Sequence, residues 1–489
     1  MTERAALRGI AGVVALTALV LVVDGAVSLP SGAYLNLGSG VWLALARDTY
    51  DGVFYRPLWS GAEYGGTRYF PMLFVLIAGL MRAGVSAVPA GVAVSLFGLA
   101  ALAAGVAVLL RRLAVPPALA ALGTALAIAP YFVHQTAFAI RCEPLAAAFA
   151  VFGLAVLAPM DARTESDRRL MLAAGLFVCA FMTKVTCVYA PAAAVVAFLL
   201  AGRRTAAFKL ATITAAGAAV GLGAVHVASS GRALESFRAC ALAGASLASL
   251  LSPVTVMRPL TLIGTSHLLT VVFLMTMAAV AVSWRRSTQL PFLYLMATAG
   301  ITAVIFTSPG TILTSQIVDL YVAAVVVLTT AVSWQAGALR PFGYAALTGL
   351  AIWAAGQNVA RVSRMLAEGA PAAAAADRRQ LLAAVQECQS SLVSESPLIP
   401  LLAGERPILL DPFAFHVVSL NRPEVERDLV ERIRRREFSC VVLEQDPASS
   451  RGRAWYSNVN LTGPVMEAVL QQYRLDRVAA GQRFYRSAQ

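Results

Sequence analysis

The sequence has few charged residues for its length. Of its 489 residues, 13% are charged and 58% are hydrophobic, whereas a soluble globular chain carries about 25% charged residues. The basic residues are almost all arginine, since lysine occurs only at Lys184 and Lys209. So little polar material does not cover the surface of a soluble protein, and an ordinary soluble fold is therefore excluded.

The chain also lacks the cysteine pattern of a structural metal site. It has six cysteines, and no two of them have CxxC spacing, which argues against a zinc knuckle. Only Cys388 and Cys440 fall in the polar C-terminal part of the chain. They could pair if that part is extracytoplasmic, and the alternative is two small buried thiols. The sequence leaves both open.

Long apolar runs are what the sequence has in abundance. The runs 85–110 and 260–282 contain almost no ionisable side chain, and each is long enough to cross a hydrocarbon core of ~30 Å as a helix. In lipid, a helix satisfies every backbone polar group internally. The sequence therefore predicts an all-α polytopic membrane protein with about eleven to thirteen transmembrane helices, followed by a small α/β domain.

The arginines stand in short clusters between the apolar runs. A net charge of +13 would suit a nucleic-acid partner, but clusters at the ends of spans are topology signals, so no nucleic-acid partner is predicted. All the arginine clusters lie on the cytoplasmic side if the N-terminus is cytoplasmic and the C-terminus extracytoplasmic. We therefore predict a multi-pass protein of the bacterial inner membrane with this orientation. The predicted spans are 9–28, 88–110, 115–138, 142–159, 169–186, 188–202, 206–228, 260–283, 288–307, 311–333 and 341–360.

The segment 69–81 is apolar but only about thirteen residues long, which is short for a span. We predict that it is re-entrant or lies in the outer interface; if it crosses, a further crossing downstream gives thirteen spans. The membrane domain is predicted to cover 1–362, with an external loop at 30–68, and the soluble extracytoplasmic domain 371–489. The elements predicted in that domain are strands at 407–411 and 440–444, helices at 376–389, 423–436 and 463–473, and a closing strand or hairpin at 477–486.

Ionisable side chains collect at one level of the predicted bundle, the outer ends of the spans. A charge that faces hydrocarbon costs several kcal/mol, so such residues are candidates for a functional site. The plainer alternatives are that Asp48 and Asp51 cap and flank a helix, and that Asp319 only makes an interhelical hydrogen bond. The candidates at this level are Asp48, Asp51, His134, Arg141, Glu143, Lys184, His267 and Asp319.

The first external loop is the most distinctive segment. It reads GSGVWLALARDTYDGVFY at 38–55 and YGGTRYFP at 64–71. These motifs resemble the GT-C superfamily of integral membrane glycosyltransferases, which includes protein mannosyltransferases and the aminoarabinose transferase. Arg141-Cys-Glu-Pro-Leu145 and Thr183-Lys-Val-Thr186 resemble two further steps of the pattern. The resemblance implies an inverting transferase that moves a sugar from a polyprenyl-phosphate donor to a glycan, lipid or protein acceptor at the outer face of the membrane.

The resemblance also implies roles for the candidates. A carboxylate acts as general base on the acceptor hydroxyl, and cations, with or without a divalent Mg or Mn ion, stabilise the leaving phosphate. The candidate bases are Asp48, Asp51 and Glu143, and a metal, if one binds, is expected at Asp48 and Glu143. The predicted substrate- or phosphate-binding residues are Arg68, Tyr69, His134, Arg141, Lys184, His267 and Asp319.

One departure from the superfamily pattern bears on catalysis. The catalytic Asp of much of the superfamily lies closer to the end of the first span, where this chain has Asn36 and no acid between 34 and 39. Either the role passes to Asp48, Asp51 or Glu143, or the protein binds polyprenyl lipid or scaffolds an envelope complex without transferring sugar. A lipid or solute transporter is a third alternative, but the inner halves of the predicted spans are nearly bare of polar residues.

Overall fold

The computed structural model describes residues 3–158, 166–240, 266–283, 289–306, 314–335, 339–388 and 391–487. These residues form a helical bundle and a smaller α/β domain that follows it. The described helices of the bundle are α1 (Glu3–Ser28), α2 (Leu37–Tyr50), α3 (Met72–Arg82), α4 (Ala87–Arg112), α5 (Pro117–Ile128), α6 (Tyr131–Phe138), α7 (Glu143–Leu157), α8 (Asp167–Thr183), α9 (Tyr189–Leu200), α10 (Arg204–Ala228), α11 (Arg232–Cys240), α12 (His267–Val282), α13 (Leu290–Ile305), α14 (Val318–Trp334) and α15 (Leu339–Ala367).

Each predicted span falls on a described helix or helix pair. Among the described residues, four helical stretches are long and apolar enough to cross a bilayer, and the pair α5–α6, bent by 58°, makes a fifth if it is one span. The bend lies at Pro130, which lacks the N–H that would continue the helix. Five further apolar helices are 10–17 residues long. The chain is thus a polytopic helical membrane protein.

Helix α3 has eleven residues and a length of about 16 Å, roughly half of the hydrocarbon thickness. It is therefore too short to cross alone, as predicted for a re-entrant or interfacial segment. At the centre of the bundle lies α14, in which residues 318–332 are all buried. It packs against α5, α12 and α13, while α1 packs against α5 and α15.

The C-terminal domain is built on a four-stranded sheet. Its strands, β1 (Leu392–Ser394), β2 (Cys440–Leu443), β3 (Tyr473–Ala479) and β4 (Gln482–Ser487), lie in the order β1-β2-β4-β3. The β1–β2 pair is parallel and the other pairs are antiparallel. The helices of the domain are α16 (Ala370–Gln386), α17 (Leu398–Leu402), α18 (Pro412–Asn421), α19 (Pro423–Arg434), α20 (Ser450–Asn458) and α21 (Gly463–Gln472).

Most predicted elements of this domain occur near their predicted bounds, but the strand predicted at 407–411 is wrong. That segment makes only an isolated bridge, in which Leu409 pairs with Tyr64 of the loop between α2 and α3. The first strand is β1 instead. A disulfide joins Cys388, just after α16, to Cys440 of β2, with 5.5 Å between the two Cα atoms. Of the two alternatives for these cysteines, the pair is the one found.

Candidate functional site

The carboxylate of Asp48 lies in a buried ion cluster. Asp48, on the last turn of α2, is 2% exposed. Arg56 donates to both of its oxygens, from Nε to Oδ2 at 2.5 Å and from Nη2 to Oδ1 at 2.8 Å. Arg406 of the C-terminal domain donates from Nε to Oδ1 at 2.9 Å. Both carboxylate oxygens are therefore engaged by guanidinium groups.

Glu63 completes this cluster, lying 3.7 Å from Arg56 and 3.4 Å from Arg406. We call Asp48, Arg56, Glu63 and Arg406 the loop–domain clamp, because these residues tie the loop between α2 and α3 to the C-terminal domain. Backbone hydrogen bonds extend the tie: Arg56 donates to the carbonyl of Pro407, and Tyr64 N–H donates to that of Ile408. The clamp thus fixes the loop against the domain.

Asp51 lies on a different surface. It follows the end of α2, is exposed, and pairs with Arg47 one turn back at 2.8 Å. Together with Arg47 and Arg406 it lines a mostly apolar cavity of about 220 Å³ between α2, the start of α4 and α17. An exposed i, i+4 pair of this kind contributes little to stability.

Arg141 packs against the start of α2. Its Nη2 donates to Oδ1 of Asn36 at 3.0 Å, and Asn36 also caps α2 by accepting from Ser39 N–H. A Cβ atom at Gly38 would lie 2.2 Å from Nη1 of Arg141, so the glycine leaves the space that the guanidinium occupies. Among the described residues, no carboxylate forms an ion pair with Arg141.

Arg68 and Tyr69 lie beside this group, at the end of the external loop. The Tyr69 ring stacks on Trp42 of α2 with 4.3 Å between ring centroids. The guanidinium of Arg68 lies 4.1 Å from the ring centroid of Phe413, in the C-terminal domain. Arg68 and Arg141 both lie within electrostatic range of Tyr69. The carboxylate of Asp411, just before α18, lies within the same range, so two cations and one carboxylate act on this tyrosine.

Lys184 and Asp319 form a second polar group within the bundle. Lys184 follows α8, Asp319 lies in the first turn of α14, and Nζ is 2.7 Å from Oδ2. Tyr189 donates its hydroxyl to the other oxygen of Asp319 at 2.8 Å. Lys184 also lies within electrostatic range of Glu143. Asp319, like Asp48, has both carboxylate oxygens occupied.

Of the three carboxylates predicted as bases, Glu143 is the one that the described contacts leave least engaged. It is the first residue of α7 and is 7% exposed. Within the described residues its one side-chain contact of hydrogen-bond type is with the thiol of Cys142, at 3.9 Å. We call the set of Arg68, Tyr69, Arg141, Glu143, Lys184 and Asp319 the candidate site.

The two predicted histidines do not join these residues. His134 of α6 is 2% exposed, and neither ring nitrogen has a hydrogen-bond partner in the described structure. His267 is exposed at the first residue of α12. The described part of the chain contains no group of three or more His, Cys, Asp or Glu side chains arranged to hold a metal ion.

The structure adds residues that the sequence did not single out. Arg56 and Arg406 engage Asp48, Tyr189 engages Asp319, and Gly38 makes room for Arg141. Nothing next to Asp48 in the sequence indicates that Arg56, eight residues on, and Arg406, in the C-terminal domain, would both reach its carboxylate. Only the glycines of the 38–55 motif indicated such contacts, since a glycine inside a helix often marks a place where another segment packs closely against the helix.

The comparisons with known proteins agree at the level of the fold. No family model and no curated protein matches the chain. The crystal structure of ArnT from Cupriavidus metallidurans bound to undecaprenyl phosphate is similar over 97% of this chain and 98% of that one, with 13% identity and a TM-score of 0.61. The archaeal oligosaccharyltransferase AglB from Archaeoglobus fulgidus is similar over 96% of this chain and 74% of that one, with 14% identity and a TM-score of 0.54. The chain therefore shares the overall fold of ArnT and AglB, which agrees with the fold that the resemblance of its loop motifs implied.

Proposed function

We propose that the protein is a membrane glycosyltransferase that moves a sugar from a polyprenyl-phosphate donor to an envelope acceptor. The observation that carries the proposal is a buried carboxylate, Glu143, that forms no ion pair within 4.0 Å among the described residues and has the cation Lys184 within electrostatic range. Arg68 and Arg141 have no acidic ion-pair partner among the described residues, and Lys184 lies within electrostatic range of Glu143. The shared fold with ArnT, which was crystallised with undecaprenyl phosphate, supports the same class of lipid carrier.

In the proposed reaction, Glu143 accepts the proton of an acceptor hydroxyl as its oxygen attacks the anomeric carbon of the donor sugar. The new C–O bond forms as the bond from that carbon to the phosphate oxygen breaks, and the electron pair leaves with the phosphate. Attack opposite the leaving group inverts the anomeric centre. Arg141 and Arg68 stabilise the charge that develops on the phosphate.

Asp48 and Asp51 are weaker candidates for the base because of their contacts. Asp48 accepts hydrogen bonds from two arginines, so both of its oxygens are already engaged. Asp51 faces the surface beside Arg47. A divalent Mg or Mn ion shared by Asp48 and Glu143 stays a prediction, and Asp48 would have to leave its arginines to bind it, so the reaction is written without one.

The test is a complementation experiment with mass spectrometry of the envelope glycolipids and glycoproteins. A strain without the gene should lose one sugar modification, and the wild-type chain should restore it. Replacing Glu143 by Gln should reduce the modification rate by about 10²- to 10⁴-fold, the usual contribution of a general base. The matched control, Asp51→Asn, should restore it nearly fully. Full activity of a folded Glu143→Gln variant would contradict the assignment.

We also propose that the C-terminal domain lies on the extracytoplasmic side of a bacterial inner membrane, with the N-terminus in the cytoplasm. The Cys388–Cys440 disulfide supports this side, because stable disulfides form in oxidising compartments. Protease added to spheroplasts should cleave this domain and leave a cytoplasmic N-terminal tag intact. Protection of the domain in intact spheroplasts would reverse the orientation.

The second candidate function is a polyprenyl-lipid-binding protein without transferase activity. Asn36 favours it, because an amide that accepts from Arg141 stands where superfamily members have an acid. The two functions separate in the same experiment. A protein that binds lipid-linked sugar but leaves the glycolipid profile unchanged when deleted would be a binding protein.

A further inference from the structure

Arg361, near the end of α15, is a cation without an acidic partner. Its Cζ lies 3.2 Å from the ring centroid of Tyr131, the first residue of α6. Its Nε is buried and has no hydrogen-bond partner. Within the described residues, no carboxylate lies within the 4.0 Å ion-pair distance of its guanidinium. The guanidinium is thus stacked on a ring, and no described carboxylate pairs with it directly.

The residues around Arg361 are held in place by other contacts. Asn358, one turn earlier on α15, donates to the carbonyl of Ala129 at 2.7 Å, which ties α15 to the bend between α5 and α6. Asp24 of α1 accepts the hydroxyl of Tyr34 at 2.5 Å, and the Tyr34 ring lies 6.4 Å from that of Tyr131. One oxygen of the nearby Asp24 carboxylate thus accepts from a tyrosine hydroxyl, and Asp24 forms no ion pair within 4.0 Å of Arg361.

A charge in a membrane-spanning bundle normally pairs with another group, because it is costly to leave unpaired. An arginine stacked on an aromatic ring keeps its planar fork of N–H donors in a fixed orientation, which suits two-point binding of a phosphate. Helices α1 and α15 pack against each other, and both expose large apolar side chains, among them Val23, Val27 and Val359. These surfaces suit the hydrocarbon chain of a lipid.

We propose that Arg361, stacked on Tyr131, binds the phosphate of an amphiphile whose chain lies against α1 and α15. The ligand class is a phosphate monoester or diester on a long apolar chain, which both a polyprenyl phosphate and an ordinary phospholipid provide. This phosphate site shares no residue with the candidate site. It goes beyond the proposed function and does not depend on sugar transfer.

The test counts bound lipids on the full-length chain in detergent by native mass spectrometry, with undecaprenyl phosphate as the probe. Replacing Arg361 by Met should remove one bound lipid and weaken its binding at least tenfold, which corresponds to the loss of a charge-assisted hydrogen bond. The matched control is Arg364→Met, one turn further on an exposed position, where Nε donates to the carbonyl of Ala360. The control should bind as the wild type does.

Substitutions of Tyr131 distinguish a loss of lipid binding from misfolding of the Arg361→Met protein. Tyr131→Leu removes the ring that orients the guanidinium and should weaken the same binding step, whereas Tyr131→Phe keeps the ring face and should not. If the Arg361→Met and Tyr131→Leu variants are folded and bind as many lipids as the wild type, with equal affinity, the phosphate site does not exist. If Arg361→Met does not fold, unchanged binding by Tyr131→Leu alone overturns the proposal.

Competition by phosphatidylglycerol shows whether the bound phosphate belongs to a phospholipid headgroup or to the polyprenyl carrier. If it displaces the probe from the Arg361-dependent step, the site takes phospholipid headgroups in general; if it does not, the site selects the polyprenyl carrier. Both results uphold a phosphate site. The proposed transferase function and the phosphate site are tested separately. A protein without transferase activity would still lose one bound lipid when Arg361 is replaced.

Discussion

Replacing Asp48 by Asn distinguishes a structural carboxylate from a catalytic one. The side chain is 2% exposed and accepts three hydrogen bonds from two arginines. The amide keeps the shape but removes the negative charge, which leaves Arg56 buried at 1% side-chain exposure with only Glu63, 3.7 Å away, as a counterion. Removing one partner of a buried pair costs about 3–5 kcal/mol.

The contribution of Arg406 to that cost is small, because its side chain is 35% exposed and water screens it. We therefore expect a loss near the lower limit, about 3 kcal/mol. For a unit of roughly 150 residues, formed by the external loop and the C-terminal domain, this corresponds to a fall in Tm of about 6–12 °C. The assay is thermal unfolding of the purified full-length protein in detergent, followed by limited proteolysis of the C-terminal domain.

Asp51→Asn is the control, because its exposed pair with Arg47 should contribute less than about 1 kcal/mol. The opposite pattern would refute the reasoning. If the Asp48→Asn protein has the same Tm as the wild type but loses sugar transfer, Asp48 acts in catalysis, as the sequence predicted. The carboxylate would then not serve mainly to stabilise the loop–domain clamp.

Three further predictions concern the C-terminal domain and its contact with the bundle, all measured by the same melts. Gly40→Ala should destabilise the protein by about 1–3 kcal/mol, because its Cβ would lie 2.4 Å from the backbone nitrogen of Leu398, whereas Gly175→Ala, with open space around it, should not. Cys388→Ser should cost about 4 kcal/mol by the loop-entropy estimate for a separation of 52 residues, and reductant should lower the wild-type Tm to the level of this variant without affecting the variant itself. Burial, and secondly the neighbouring carboxylate of Glu395, raises the pKa of Glu444. The folded state therefore holds a proton that the unfolded chain releases above about pH 4.5, so stability should fall as the pH rises from there, by up to ~1.4 kcal/mol per pH unit. Glu444→Gln should make this fall smaller.

The membrane helices were predictable because their signal is local. A helix in lipid needs a run of apolar residues and little else, so span 88–110 is found as α4 within two residues at each end. The bend in the predicted span 115–138 had a local signal too, Pro130, but a proline in an apolar run also occurs in helices that only kink. The size of the bend depends on packing.

The contacts of Asp48 were not predictable, because they depend on segments that meet only in the folded chain. In sequence, Asp48 and Glu143 look alike: each is an acid beside an arginine near the end of an apolar helix. Folding brings Arg56 and Arg406 to Asp48 and leaves Glu143 without such a partner. The predicted strand 407–411 failed for a related reason, since the external loop supplies the neighbour at Tyr64 and a single bridge forms.

The amide at position 36 leads to a final prediction. Arg141 donates to Oδ1 of Asn36 at 3.0 Å, so it is oriented by a neutral group and keeps its full positive charge for a phosphate. Asn36→Asp would place a carboxylate at the same distance and neutralise that charge, and we expect donor-lipid binding to weaken by about tenfold, the effect of one charge-assisted contact. Titration of undecaprenyl phosphate measures this, with Asn36→Ser as the uncharged control. If Asn36→Asp instead binds the lipid unchanged and speeds transfer, the missing acid limits this protein, and Glu143 is not a sufficient base.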